Sequence, residues 1–203
     1  MHMRKQTGIC AAVLAVMLLA TGCGAKEERT TLHIKDGGKV VENVTEKFDK
    51  DYYDEKELEK FIDEEIEAYI DESGEKNIKA SGFSVEDNKA YMTLKFDSID
   101  VYSDFNQETL YQGTVVQAEA DGYPMAEHFY AVKDGKVKKD QTDKKIGDGD
   151  GYKVVVTSES IDVAVSGEVL FVSRSDVKMR DEKTVSIQKE NEDDTSLTYI
   201  VYK

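Results

Sequence analysis

Glu55-Lys56-Glu57-Leu58-Glu59-Lys60-Phe61-Ile62-Asp63-Glu64-Glu65-Ile66-Glu67-Ala68-Tyr69-Ile70-Asp71-Glu72 is the stretch that sets the fold class of this chain. Leu58, Phe61, Ile62, Ile66, Tyr69 and Ile70 recur at three- and four-residue spacing, so they share one face of an amphipathic α-helix. Asp54, with Glu57 three residues on, is placed to cap its start, and Gly74 suits the left-handed residue that ends a helix. The opposite face carries Glu59, Asp63, Glu64, Glu67 and Asp71. Those acids read as a solvated surface rather than as catalytic carboxylate pairs.

Outward from this helix the period changes from helical to alternating. Leu32 and Ile34 alternate with His33 and Lys35, and Asp36-Gly37-Gly38-Lys39 then turns the chain into Val40 to Phe48, which predicts a hairpin. Similar turns are predicted at Asp87-Asn88-Lys89, Asp134-Gly135-Lys136 and Ser166-Gly167. Ala90 to Phe96 reads as a strand, and Ser98 to Asn106 as a short helix or helical turn. Thr114 to Gly122 suits either a helix capped by Thr114 or a strand, and the helix is preferred. From Phe129 on, Tyr152 to Thr157, Ile161 to Val165, Val169 to Ser173, Val185 to Ile187 and Leu197 to Tyr202 are β-branched or aromatic runs between polar turns. The expected fold is α+β: an antiparallel β-sheet packed by one principal amphipathic helix, with a β-rich C-terminal half.

At the other end of the chain, Arg4 and Lys5 precede an apolar run from Ile9 to Ala20, and Leu19-Ala20-Thr21-Gly22-Cys23 follows. Twelve helical residues rise only about 18 Å, short of a bilayer core of about 30 Å, so a spanning helix is not expected. The segment resembles the type II signal peptide of bacterial lipoproteins, with Gly22 and Cys23 matching the lipobox and Ala20 and Thr21 permitted choices. That resemblance implies cleavage before Cys23 and acyl groups on its sulfur. It divides the chain into a signal peptide over 1–22, a lipidated cysteine and short polar tether over 23–31, and a single extracytoplasmic domain over 32–203. The implied address is the outer face of the bacterial cell membrane, and two or three acyl chains would hold it there firmly. Asp51-Tyr52-Tyr53-Asp54-Glu55-Lys56-Glu57-Leu58 and Gly113-Thr114-Val115-Val116 resemble small lipoproteins of Gram-positive gut bacteria, a resemblance that brings no activity, ligand or site residue with it.

Charge and cysteine content narrow the chemistry. The net charge of −15 becomes −17 once residues 1–22 are removed, because they hold Arg4 and Lys5 but no acid. Such a surface argues against nucleic acid as a partner and against direct adhesion to anionic lipid, since both require Lys/Arg patches. Cys23 is then the only cysteine left, so no internal disulfide forms and the core must be stabilised by burial.

No motif implies a cofactor. His33 and His128 are far apart in sequence and fit exposed strand positions, and there is no second thiol, no His-x-x-x-His and no Gly-x-Ser-x-Gly. Asp148-Gly149-Asp150-Gly151 resembles half of a calcium loop, which makes Asp148 and Asp150 the candidate metal ligands. Neither EF-hand register completes: one puts Thr157 where the bidentate Glu belongs, the other puts Lys153 where the glycine belongs. Glu190 to Asp194 reads as a solvated acidic turn. Eleven tyrosines without a tryptophan fit sheet packing better than a sugar platform. The sequence therefore predicts a non-catalytic binding or interaction module, with an unknown protein or cell-wall ligand as partner. A calcium-responsive domain and a hydrolase with a dispersed site are the alternatives.

Overall fold

The computed structural model describes residues 27–125, 128–142, 146, 151–191 and 194–203. In chain order the elements are β1 (Thr31–Ile34), β2 (Val40–Lys47), α1 (Glu55–Ser73), β3 (Ile78–Glu86), β4 (Lys89–Phe96), α2 (Ile99–Asn106), β5 (Leu110–Thr114), α3 (Val115–Ala120), β6 (Tyr130–Lys133), β7 (Lys136–Gln141), β8 (Lys153–Thr157), β9 (Asp162–Ala164), β10 (Val169–Val172), β11 (Lys178–Met179), β12 (Thr184–Ser186) and β13 (Thr198–Tyr202). The chain is α+β and strand-rich. None of the helices among the described residues is long and apolar enough to cross a membrane.

The strands form two sheets where one was expected. The first has the order β11-β12-β9-β1-β2-β4-β3 and the second β5-β8-β13-β10-β6-β7. The chain leaves the second sheet at the end of β8 through the Ser158 to Ile161 loop, and β9 joins the free edge of β1 in parallel, Leu32 opposite Val163. That pair departs from the expected all-antiparallel arrangement. A parallel partner needs a long crossover, and here everything from β2 to β8 supplies it. Ser166-Gly167 accordingly joins strands of different sheets rather than closing a hairpin. A Cβ at Gly167 would lie 2.2 Å from the Lys203 carbonyl oxygen, so the crossing requires glycine.

The turn chemistry behaves as the sequence implies. Gly37 and Gly38, Asp87 and Asn88, and Asp134 and Gly135 all take positive φ, the pairwise signature of tight hairpin turns. β3 and β5 carry no clear alternation and were not expected as strands. In β3 the register shifts between Ser81 and Ser84, around Gly82 at φ 71°, which breaks the period of two.

Apolar residues of both sheets meet in one core, with Leu32, Ile34, Val40 and Phe96 from the first sheet against Val155, Val172, Ile200 and Tyr202 from the second. The second sheet is covered on its other face too, where Val154, Val156 and Val201 pack with Val115 and Ala118 of α3 and with Phe129. β8 is therefore buried from Val154 to Thr157 and β13 along its whole length. Continuous apolar runs are what a strand buried on both faces needs.

Candidate functional site

α1 begins where Asp54 Oδ1 accepts from the Lys56 and Glu57 amides, both at 2.9 Å, and ends at Gly74, whose amide donates to the Ile70 carbonyl from a left-handed conformation. Its apolar face meets the β3–β4 side of the first sheet, but only Ile66 is buried. Ile62, Tyr69 and Ile70 are partly covered, and Phe61 is 57% exposed. α2, capped by Ser98, sets Phe105 edge-on to Tyr69 with ring centroids 5.5 Å apart. Between α1, α2 and the Met92 and Leu94 side chains of β4 lies an open groove of about 480 Å³.

A second hollow of about 510 Å³ continues it past the start of α1, walled by Phe48, Tyr52, Tyr53 and Leu58. Phe61 lines both. Tyr53 lies tilted against Phe48 with centroids 5.1 Å apart and edge-on to Tyr52 at 5.0 Å, and Tyr52 is 79% exposed. An apolar floor left open to this extent is the usual mark of a binding surface. Its rim is anionic. Among the described residues, Glu65, Glu72 and Asp104 border the first hollow with no lysine or arginine in its lining, and Glu46, Asp54 and Glu57 border the second with Lys47 as the one cation.

Behind the groove lies a group of half-buried carboxylates. Glu42 falls on the inner face of the first sheet, directly between Leu32 of β1 and Leu94 of β4, where every neighbour in the row is apolar. Burial, reinforced by the charges of Glu159 and Glu46, pushes its pKa up to about 7. Glu159 is raised to about 7 by burial as well, and the Glu108 charge adds to this. A 2.6 Å hydrogen bond from the Tyr102 hydroxyl and the charge of Lys189 pull it back only partly. The same surroundings raise the Tyr102 phenol, first through burial and then through Glu42 and Glu159. Tyr102 packs edge-on against Phe96 at 5.0 Å, and Phe96 against Phe105 at 5.8 Å, so aromatic rings connect the groove wall to the carboxylates. At neutral pH this group can hold and release protons. The described residues contain no set of three or more His, Cys, Asp or Glu placed to hold a metal.

The outer face of the same sheet carries a different polar network. His33 Nε2 stands 2.8 Å from Glu27 Oε1, Asn43 Nδ2 donates to that oxygen at 2.9 Å, and Thr93 donates to Asn43 Oδ1 at 3.1 Å. Burial alone would raise the Glu27 pKa, but hydrogen bonds from Thr31, Asn43 and His33 and the imidazole charge lower it. Nearby, Asp162 lies 3.6 Å from Arg29 Nε and accepts from Arg180 Nε at 3.0 Å.

The residues singled out from sequence do not converge. His33 belongs to this outer network and His128 is exposed. Asp148 and Asp150, like Cys23, Glu192 and Asp193, lie outside the described residues. Asp194 accepts from the Ser196 amide and from Arg174, and its pKa falls to about 2, chiefly through the hydrogen bonds at Ser196. The acidic turn is thus tied down at that end rather than freely solvated.

Sequence reasoning passed over Glu42 although its signal was present. Val40, Glu42 and Val44 share one phase of β2, which places a carboxylate at a core position. No comparable signal marked Phe48, Tyr52 and Tyr53 as one wall of a groove.

Fold and site together define a strand-rich α+β protein with an open aromatic groove of anionic rim. Comparison with protein-family models, with curated proteins and with solved structures returns no match.

Proposed function

We propose that the chain is a non-catalytic binding module held on the outer face of a bacterial cell membrane by acyl chains on Cys23, with the α1 groove as its binding face. The observation that carries the reading is the incomplete cover over α1: apolar and aromatic side chains that the fold could have buried are instead left open along one surface. A module of this kind works by affinity. Among the described residues the groove lining holds no histidine, serine or cysteine, and His33 is committed to Glu27 and Asn43 on another face.

The tether fits the address. Thr45 Oγ1 donates to the Glu27 carbonyl at 2.9 Å, and the Glu27 side chain is held by His33 and Asn43, so the chain is fixed to the outer face of the first sheet from residue 27. Four residues of fully extended chain span at most about 14 Å, which keeps the domain close to the lipid surface. Acylation and binding are tested together in host cells. Alkyne-tagged fatty acid is expected to label the wild type in the membrane fraction, and Cys23→Ala to lose the label and to keep its 1–22 leader uncut. A photo-crosslinking phenylalanine analogue at position 61 is expected to give a discrete adduct, and the same analogue at Val116, 48% exposed on α3, to give none. An unlipidated chain still starting at Met1 removes the anchor; identical crosslinking at both positions removes the groove.

A further inference from the structure

From the shape and charge of the groove we infer that its occupant is a cationic amphipathic helix, a segment of a partner protein that presents leucine-like side chains on one face and lysine or arginine around it. The inference rests on the binding-module reading and names the chemistry of its ligand.

Shape comes first. The open strip of α1 runs from Leu58 through Phe61 and Tyr69 to Glu72, about 21 Å at 1.5 Å per residue, which matches roughly four turns of a docked helix. Two hollows meeting at Phe61 offer separate seats for side chains one or two turns apart, the pattern by which helices are read in grooves. The Phe61 ring, 57% exposed in the free protein, is the central anchor.

Charge selects among possible occupants. Among the described residues, Glu65, Glu72 and Asp104 surround one seat without a cation, and Glu46, Asp54 and Glu57 surround the other with Lys47 as the one cation. The far side of α1 adds Glu67 and Asp71, while Glu64 is paired with Lys60 at 3.1 Å. Such a rim attracts Lys and Arg and repels an acidic helix, an anionic lipid surface or a second copy of this chain, which carries the same rim and a net charge of −15. A neutral glycan could stack on Tyr52 and Tyr53 but would leave the acids unanswered. A cationic amphipathic helix satisfies floor and rim at once.

The test uses the full chain captured on a sensor surface and a synthetic 18-residue peptide with leucine at i, i+3, i+4 and i+7 and lysine elsewhere. A second peptide keeps the leucines and carries glutamate for lysine. The lysine peptide is expected to bind saturably at one per chain, and the glutamate peptide at least tenfold more weakly. Phe61→Ser, at an exposed position, and separately Glu65→Lys with Glu72→Lys should each weaken the lysine peptide at least tenfold. Unchanged circular dichroism shows that these variants still fold. Raising salt from 50 to 500 mM should also weaken binding. Equal binding of both peptides, no binding, or indifference to both variants overturns the inference. So does protection of Phe61 by a neutral oligosaccharide or by self-association, and those two results leave the binding-module reading standing with another occupant. Loss of the Cys23 anchor alone would leave the peptide result unchanged, so the two failures are told apart.

Discussion

On the outer face of the first sheet Asp162 sits between Arg29 and Arg180, and Glu27 takes hydrogen bonds from His33 and Asn43. On the inner face Glu42 stands between Leu32 and Leu94 with Glu159 and Glu46 as its charged neighbours. The two faces are one strand thickness apart, yet one carboxylate on each, Glu27 and Glu42, shifts in the opposite direction to the other. Glu27 is lowered and Glu42 raised. The difference shows that partner chemistry, and not burial alone, decides whether an acid in this sheet supports the fold or opposes it.

The largest break in that comparison comes from Asp162→Ala. It removes the buried carboxylate that Arg180 donates to and Arg29 lies against, both arginines being partly exposed, and is expected to cost about 3 kcal/mol, read as a lower urea midpoint with unchanged slope. Glu42→Gln is expected to act the other way. Because the folded pKa of Glu42 lies near 7 and its ordinary value is 4.5, the folded protein keeps a proton that the unfolded chain releases between those values. Stability therefore falls as pH rises from about 4.5 to about 7. A shift of that size corresponds to about 3 kcal/mol, which partial solvent access reduces to about 2. Glu42→Gln should accordingly stabilise by about 2 kcal/mol at pH 8 and by almost nothing at pH 4.5, with a flatter profile between. A thermal-unfolding series across pH that shows equal stability of wild type and variant at pH 8 would contradict the assignment.

Tyr102→Phe sharpens the inner-face half. It keeps the ring against Phe96 and removes the hydroxyl that donates to Glu159, so it is expected to destabilise by about 1.5 kcal/mol at pH 8, where Glu159 is ionised, and by less at pH 5. The smallest effect is expected from Glu27→Gln, about 1 kcal/mol at pH 7. Its sign with pH is reversed: the lowered Glu27 pKa gives stability that is present above the ordinary carboxylate range and lost as pH falls through the folded value. Denaturant titrations at pH 3 and pH 7 separate the two faces by that sign.

How much of this was legible depends on whether the signal was local. The helix over Glu55 to Glu72, the turns at Gly37-Gly38, Asp87-Asn88 and Asp134-Gly135, and the β-branched runs from Tyr152 on are set by neighbours in sequence, and each forms where it was read. The division into two sheets and the parallel β1–β9 pair are set by residues on distant strands, and no period along the chain encodes which edge a strand will join. Glu42 was readable in principle, as a carboxylate in the apolar phase of β2. The groove was not. Helical spacing identifies the apolar face of α1, but whether enough of the molecule lies against that face to cover Phe61 depends on how far β3, β4 and α2 reach beside it.

The parallel seam between β1 and β9 also constrains the order of events as the chain is made. β1 has β2 as an immediate partner, but its other edge stays open until the polypeptide beyond Asp162 has emerged and crossed over. Closing so distant a pair is entropically slow, and an unpaired edge is adhesive while it waits. A nascent chain stalled before β9 would therefore leave the outer edge of β1 unpaired, which makes this seam the place where a quality-control protease would find an unfinished copy.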